Sequence, residues 1–287
     1  MTYYSRKFAA FQVRDEEWSI LSRCCFDAAE YLAAPDTAPC PAALDVPEIV
    51  RGLDALYEHG REAEAESYLE AWLDRARKCG DWRAELTVTS ELLGQYRRSA
   101  NRERGLAAAD AALALIRAHG MGRTVSGATV MLNAATTLKC FGEAARSLPI
   151  FTHVGRVYAE KLDPADYRFA GLYNNMALSY ADVGETERAI EYFTAAMRII
   201  EHCGAPENEL AVTLCNMAET YARRDSEDAR IGECMERAWE YLNAPSLAHD
   251  GYHAFTISKC APSFEYFGYL IYAKALKERA ERIYGLS

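Results

Sequence analysis

Three asparagines stand at matching points of an apolar helical pattern, and their amides could do the same chemistry three times. Asn133, Asn175 and Asn216 are 42 and then 41 residues apart, in the segments MLNAATTL, YNNMALSY and LCNMAETY. Asparagine is a poor residue for the middle of a helix, because its side chain competes for backbone hydrogen bonds. A side-chain amide carries both a donor and an acceptor, which match one peptide unit. The spacing therefore predicts a row of amides that holds an extended peptide by its backbone.

The elements that position these amides are predicted to be pairs of helices. In the segment from Ala170 to Ile200, apolar residues fall at helical spacing in two runs on either side of Gly184. Gly184 can adopt the left-handed conformation that ends the first helix. Glu185 and Glu187 then place negative charge at the start of the second helix, where the helix dipole favours it. The segment predicts a helical hairpin.

The hairpin pattern recurs with a period near 42 residues. The turn position holds Gly60, Ala100, Gly142, Gly184 and Gly268, and the point where two helices cross holds Ala65, Gly105, Ser147 and Ala189. One hairpin cannot bury both of its faces, so the units must stack on each other. The fifth unit has RRDSED in place of a turn glycine, which predicts a longer loop. Residues 252–284 are consistent with either a sixth repeat or one long capping helix that starts at Pro262.

These positions resemble the tetratricopeptide repeat (TPR) family, most closely its long-helix version. The resemblance covers about residues 44–284, and it is carried in part by the turn glycines and the small crossing residues. Three further columns carry it: the first-helix aromatics Tyr96, Tyr180 and Tyr221, the second-helix aromatics Phe151 and Phe193, and the late alanines Ala112, Ala196 and Ala238. It implies an all-α, right-handed superhelical solenoid of five to six TPR-like hairpins with capping helices at both ends. It also implies a concave groove lined by the first helices. TPR proteins that bind extended peptides carry a similar asparagine ladder.

The front of the chain differs from the repeats. Residues Asp15 to Ala33 predict one helix with Asp15 as its N-cap, and a proline-rich linker follows it. We therefore expect a capping helix and linker over residues 1–41, and one continuous repeat array over residues 42–287. A DNA-binding module does not fit within the first 41 residues.

Positions beside the asparagine column are predicted to shape the side-chain pockets of the groove. Leu132, Asn174 and Cys215 each precede a ladder asparagine by one position, and Leu178 follows Asn175 by three. Near the turns, Arg97 and Lys139 are candidates to pair with an acidic side chain or a C-terminal carboxylate of the ligand. Two alternatives stay open. The basic residues also fit a solvated surface, and the asparagines also fit loop capping or simple inheritance through repeat duplication.

Composition argues against several classes of function. The net charge is −10 and the isoelectric point is about 5.2, whereas a nucleic-acid-binding protein usually has a basic face. No segment has the length and hydropathy of a membrane span, and the N-terminus does not resemble a signal peptide. The nine cysteines contain no C-x-x-C pair, which favours reduced thiols in a cytoplasmic protein.

The sequence offers no constellation typical of an enzyme. His249 and His253 have a spacing that suits a metal on a helix, but the segment between them predicts a loop and no third ligand is evident. Phosphate-binding and nucleophile motifs are not found in the sequence either. We therefore expect no catalytic residue, no metal and no cofactor.

The sequence thus predicts a non-catalytic scaffold that holds an extended peptide or a partner segment through its asparagine ladder. The alternative is an intracellular receptor for a short signalling peptide that lacks a DNA-binding module. In either case the expected partner is a protein or peptide, neither nucleic acid nor membrane is expected, and a homodimer through the terminal helices is possible.

Overall fold

The computed structural model describes residues 26–39, 43–204 and 206–285, and the regular elements within these ranges are all helical. Three 3₁₀ turns, Ala28–Tyr31, Glu62–Glu64 and Met121–Arg123, accompany the α-helices. The α-helices, numbered in chain order, are α1 Val46–Glu58, α2 Ala65–Cys79, α3 Trp82–Arg98, α4 Arg102–Ala118, α5 Val125–Cys140, α6 Ala144–Lys161, α7 Arg168–Asp182, α8 Thr186–Ile200, α9 Glu207–Arg224, α10 Arg230–Leu242, α11 Gly251–Tyr266 and α12 Leu270–Tyr284. The predicted all-α class of TPR-like hairpins is confirmed.

The chain divides into two compact units, Met1–Asp163 and Pro164–Ser287. The first unit contains the hairpins α1–α2, α3–α4 and α5–α6, and α3 also packs against α5. The second unit contains α7–α8, α9–α10 and α11–α12, and α9 packs against both α7 and α11. Each hairpin thus buries its remaining apolar face against a neighbouring hairpin in its unit, as the repeat pattern requires.

Five hairpins turn in the same way. The turn residues Gly60, Ala100, Gly142, Gly184 and Gly268 all have a positive φ, between 53° and 87°. In each case the next residue donates its backbone N–H to a carbonyl five positions back, for example Asn101 to Tyr96 and Glu185 to Tyr180, both at 2.9 Å. This is the Schellman geometry, which satisfies carbonyls at the end of a helix. The five turn residues identified from the sequence therefore share one left-handed backbone conformation.

The predicted crossing residues lie where two helices approach most closely. Ala65, Ser147 and Ala189 are fully buried. At Gly105 a Cβ atom would lie 2.3 Å from the Cε2 atom of Phe141, a distance that side chains do not tolerate without movement. A small residue is therefore required at this position by contact with the next hairpin.

The last hairpin resolves the choice left open for residues 252–284. Helix α11 continues through Pro262 and ends at Tyr266, and Gly268, with a φ of 82°, turns the chain into α12. Pro262 cannot donate to the carbonyl of Ser258, but both residues are exposed, so water can satisfy that carbonyl. The segment is a sixth hairpin and not one long helix.

The N-terminal segment is described from residue 26 onward. Most of the helix predicted over Asp15–Ala33 lies outside the described residues, and a 3₁₀ turn at Ala28–Tyr31 stands where its last turn is predicted. Tyr31 is buried, and the N–H of Asp36 donates to the carbonyl of His119 at 2.8 Å. The division into a 1–41 cap and a 42–287 array stays a prediction.

Candidate functional site

The first helix of each hairpin contributes a row of exposed and half-buried side chains, which we call the first-helix wall of its unit. In the first unit this wall includes Glu91, Arg97, Leu132, Asn133 and Lys139. In the second unit it includes Tyr167, Asn174, Asn175, Leu178, Glu209, Asn216, Tyr252 and Lys259. Bonds between equivalent positions hold neighbouring first helices in register, such as Arg223 to Asp182 at 2.6 Å and Ser263 to Glu219 at 2.6 Å. The repeat period thus aligns these side chains within each unit.

Asn133 is half-buried in the middle of α5 and contacts α3. Its Nδ2 atom donates to Oγ of Ser90 at 3.0 Å. Its backbone carbonyl accepts from Oγ1 of Thr137 at 2.9 Å and from Nη1 of Arg97 at 3.3 Å. Nothing in the described ranges donates to its Oδ1 atom, so one half of the amide remains available to a ligand.

The two ladder asparagines of the second unit are less occupied. The Nδ2 atom of Asn175 donates to the carbonyl of Gly171 in the same helix at 2.9 Å, which leaves Oδ1 without a donor among the described residues. Asn216 is half-buried, and its amide makes no hydrogen bond to any residue that the structure describes. A half-buried amide without a partner is costly unless water or a ligand satisfies it. These amides therefore have the capacity to bind a peptide group.

Asn174 is the most constrained of the predicted pocket residues. Its Nδ2 atom donates to Oγ1 of Thr213 on α9 at 3.2 Å. Its Oδ1 atom is buried, and no partner for it exists in the described part of the chain. Leu132 and Leu178 are half-buried, which suits residues that contact a bound side chain.

Cys215 corrects one expectation from the sequence. It was predicted to shape a side-chain pocket, but it is only 3% exposed. Its thiol forms a hydrogen bond with Cys260, and that bond together with burial raises the pKa of Cys215 well above its usual value. The residue lies in the core between α9 and α11, in contact with Cys260, whereas Leu132 and Asn174 at the equivalent position of other repeats stay half-buried. It is therefore not a wall residue.

Arg97 is the notable charge of the first-unit wall. Its Nη1 atom donates to Oγ1 of Thr137 at 2.7 Å as well as to the carbonyl of Asn133. Burial lowers the pKa of Arg97, and no carboxylate among the described residues forms an ion pair with it. A guanidinium held by neutral groups retains most of its capacity to pair with an anion. Lys139 is half-buried near the end of the neighbouring helix.

Sequence reasoning missed a second cluster, at the N-terminal ends of the first helices in the second unit. Tyr252 donates to Oε1 of Glu209 at 2.7 Å, and Tyr167 donates to the same oxygen at 3.4 Å. Desolvation and the Glu209 carboxylate raise the pKa of Tyr167 to about 12 and also raise the pKa of Tyr252. These residues are 42 and 43 positions apart, so the repeat period that revealed the asparagines also carried this signal.

Other candidate chemistry finds little support. His253 lies in helix α11 and not in the predicted loop, and its ring stacks on His249 with centroids 5.2 Å apart. Its Nδ1 atom is 2.9 Å from Oδ1 of Asn208, and burial lowers its pKa. Across the described residues, no group of three or more His, Cys, Asp or Glu side chains is arranged to hold a metal ion. None of the described helices has the length and apolar character needed to cross a membrane.

Comparison with known proteins identifies the repeat. A family model for the tetratricopeptide repeat matches residues 168–231, which form α7, α8, α9 and the start of α10. The structure is similar to a putative kinesin light chain from Podosopora anserina with nearly identical TPR-like repeats: 14% identity, a TM-score of 0.51, and coverage of 69% of this chain and 94% of that chain. A second crystal structure of that protein, in which one residue is substituted, gives 14% identity and a TM-score of 0.52, covering 69% of this chain and 93% of that chain.

Two further comparisons add little. BtubC (BKLC) from P. vanneervenii is 16% identical and covers 100% of this chain and 92% of that chain, but its TM-score of 0.43 is too low to bear on the fold. No curated protein sequence is significantly similar to this chain. At these identities the solved structures establish the fold and nothing about ligands. The matched family model shows that residues 168–231 are tetratricopeptide repeats, and the hairpins of the other described segments have a TPR-like fold.

Proposed function

We propose that this chain is a non-catalytic scaffold that holds an extended peptide or a segment of a protein partner along its first-helix walls. TPR-like repeats suggest a protein-interaction role in general. The more specific proposal is that Asn133, Asn175 and Asn216 bond the backbone of the ligand. An amide that bonds backbone groups accepts many sequences, so neighbouring side chains must supply the specificity.

The observation that carries this proposal is the state of the ladder amides. Asn216 makes no side-chain hydrogen bond to any described residue, and Asn133 and Asn175 have no described donor for Oδ1. The open ends of these amides are not among the buried atoms without a partner, so solvent reaches them and a ligand can reach them as well. A peptide N–H could donate to each Oδ1, and a peptide carbonyl could accept from Nδ2 of Asn216.

Neighbouring residues would give the ligand its preferences. Leu132 and Leu178 would contact apolar side chains, and Asn174, whose Nδ2 atom is held by Thr213, would border the same surface. Arg97 and Lys139 would attract an acidic side chain or a C-terminal carboxylate. Micromolar affinity, about −8 kcal/mol, is within reach of a few such bonds and modest apolar burial.

A narrower version of the proposal is a receptor for a short signalling peptide. Both versions use the same walls, but a receptor must change conformation when its peptide binds, since a signal requires differential affinity for two states. Solution scattering distinguishes them: a receptor contracts on binding a short peptide, whereas a scaffold keeps its radius of gyration.

Several companion expectations are also proposals. A cytoplasmic location is supported by the described cysteines, all of which are free thiols. The net charge of −10 opposes binding to nucleic acid or to anionic lipid. No enzymatic role is proposed, because no described nucleophile or base on the walls has a partner suited to catalysis.

We also propose that the chain self-associates through its last hairpin. Tyr266, Leu270 and Ile271 are 77%, 63% and 82% exposed around the α11–α12 turn. Adjacent exposed apolar residues often mark a contact surface. Light scattering coupled to size exclusion tests this: an Ile271→Lys variant should be monomeric under conditions in which the wild type dimerises, and a monomeric wild type would refute a dimer.

The experiment that tests the main proposal compares three proteins in a quantitative pull-down from native cytosol. They are the wild type, an Asn133/Asn175/Asn216 triple alanine variant, and a control with alanine at the exposed second-helix residues Glu103, Glu236 and Glu281. Partners should be retained by the wild type and the control and lost by the triple variant. If a folded triple variant keeps the same partners, the ladder is not the binding site.

A further inference from the structure

The second-unit wall holds a carboxylate between two aromatic side chains. Oε1 of Glu209 accepts hydrogen bonds from the hydroxyls of Tyr252 and Tyr167, and its Oε2 atom makes no hydrogen bond to any described residue. The tyrosines come from the starts of α11 and α7, and Glu209 lies in the first turn of α9 between them. Three first helices thus converge on one half-buried carboxylate with an unused oxygen.

The aromatic side chains around this carboxylate are unusually exposed. Tyr167 is 49% exposed and Tyr252 is 54% exposed, although their hydroxyls are held by Glu209. Phe255, three residues after Tyr252 on the same side of α11, is 50% exposed. The hydroxyls of Tyr167 and Tyr252 are fixed while their ring surface remains open to solvent, and such a surface can receive a flat group.

The charge of Glu209 lacks a basic partner among the described residues, whereas Asp182 on the same wall pairs with Arg223 at 2.6 Å. The cation of Lys259, further along α11, is engaged elsewhere, since its Nζ atom lies 5.2 Å from the ring centroid of Phe255. The dipole of α9 explains why a carboxylate is tolerated in the first turn. It does not explain two exposed rings directed at that carboxylate.

We propose that Glu209, Tyr167 and Tyr252 form a binding site for an arginine side chain of the protein partner. The inference rests on the proposed function, because it assigns one side chain of the same ligand. A guanidinium would donate to the open Oε2 of Glu209 and stack on a tyrosine face. The flat, delocalised cation uses both features together, while an ammonium group uses mainly the charge. The ligand would thus carry an arginine near the N-terminal ends of α7, α9 and α11.

A small probe tests this site without any partner protein. N-acetyl-arginine methylamide is titrated into the full-length protein carrying ¹³C-labelled tyrosine rings, and the resonances of Tyr167 and Tyr252 are assigned from the two Tyr→Phe variants. The neutral isostere N-acetyl-citrulline methylamide is titrated in parallel. We expect the arginine probe to shift both resonances with saturation, and citrulline to bind at least about fivefold more weakly.

Two variants define the role of the carboxylate. Glu209→Gln keeps an acceptor for the tyrosine hydroxyls but removes the charge, and it should abolish the preference for arginine over citrulline. Glu187→Gln makes the same change in charge on α8, where Glu187 pairs with Arg224 at the surface, and should leave the preference intact. Because the Asn133/Asn175/Asn216 triple alanine variant retains this cluster, it should bind the probe like the wild type, even if the ladder proposal fails.

Three outcomes would overturn the inference. Equal binding of arginine and citrulline would show that charge is not recognised. Preserved selectivity in Glu209→Gln would place the site elsewhere. A lysine probe, N-acetyl-lysine methylamide, that binds as tightly as the arginine probe would reject the assignment to a guanidinium.

Discussion

Asn133 and Ser90 are joined by a 3.0 Å hydrogen bond between Nδ2 and Oγ, and this bond links the first helices of two consecutive hairpins. The ladder asparagine of the first unit therefore has a structural role as well as a proposed binding role. Asn216, in the equivalent position of the second unit, makes no such bond to any residue that the structure describes. The same repeat position thus carries a structural hydrogen bond at Asn133 and an open amide at Asn216.

This difference predicts unequal stability effects. Asn133→Ala and Asn216→Ala both gain about 0.5 kcal/mol of helix propensity. Asn133→Ala also removes the bond to Ser90, which contributes about 1 kcal/mol. Urea denaturation should therefore place Asn133→Ala about 1 kcal/mol below Asn216→Ala. The matched control is Ser90→Ala, which removes the same hydrogen bond from the other side. After the change in helix propensity is subtracted, both variants should lose the same stability. Equal stability of the two asparagine variants would contradict the assignment.

The turn at Ala100 predicts a stabilising substitution. Ala100 has a φ of 53°, whereas the four equivalent turn positions are occupied by glycine. The left-handed conformation costs a residue with a Cβ atom roughly 1 kcal/mol. Ala100→Gly should therefore raise the free energy of unfolding by about 0.5 kcal/mol or more, measured by urea denaturation. The opposite sign is expected for Ala114→Gly at an exposed site inside α4, which should cost about 1 kcal/mol.

Two helical glycines predict opposite responses to alanine. A Cβ at Gly105 would meet Phe141 at 2.3 Å, whereas a Cβ at Gly171 would have no atom within 4 Å apart from the backbone of its own helix. Gly105→Ala should lower stability by about 1 to 3 kcal/mol through overpacking. Gly171→Ala should raise it by about 0.5 to 1 kcal/mol through helix propensity. Thermal melting monitored by circular dichroism measures both, and a stabilised Gly105→Ala variant would show that the hairpins do not approach closely there.

Buried His253 predicts that stability falls in mild acid. Burial lowers its pKa below the unfolded value of 6.5. Its Nε2 atom is also buried, and no described residue would accept a hydrogen bond from it when the ring is protonated. Between the folded and unfolded pKa values the unfolded chain binds more protons, so the contribution of His253 to stability is complete above the unfolded pKa and decreases as the pH falls through this window. His153, whose pKa is also lowered by burial, should act in the same direction.

The test of this prediction is the urea midpoint measured from about pH 7.5 to about pH 5, a range that spans the ordinary histidine pKa. His253→Gln cannot be protonated, so its midpoint should fall less steeply than that of the wild type. His153→Gln serves as a parallel variant in the first unit, where Nε2 of His153 lies 2.8 Å from the carbonyl of Gly122. Identical slopes in wild type and both variants would show that these histidines do not titrate between the two states.

Much of the fold could be read from the sequence because one period of about 42 residues repeats the same local physics. Gly60, Gly142, Gly184 and Gly268 mark a backbone conformation that disfavours other residues, so their spacing gives the hairpins directly. Ala100 fits the same turn despite its Cβ atom, and only the spacing of its neighbours reveals it. Pro262 suggested a helix start, but an exposed carbonyl allows proline inside α11.

The candidate site was less accessible to sequence reasoning, because rotation about a helix axis is not fixed by a column alone. Cys215 adjoins a ladder asparagine and nevertheless lies in the core, bonded to Cys260. The bonds from Asn133 to Ser90 and from Asn174 to Thr213 depend on how far neighbouring hairpins are shifted along each other. The Tyr167–Glu209–Tyr252 cluster was visible as a column, but its residue types suggest a ligand only when two rings and one carboxylate are seen together.

The fifth hairpin lacks the shared turn: α9 is followed by an extended residue, Asp225, and no residue of the loop 225–229 has a positive φ. An ion pair joins Asp228 in this loop to Arg230 at the start of α10. In the other five hairpins one backbone conformation closes the loop whatever the side chains around it. Hairpins from related arrays could therefore be exchanged at those turns without redesign of the connecting residues. The fifth connection depends on its own side chains, so an exchanged hairpin would need its native loop as well.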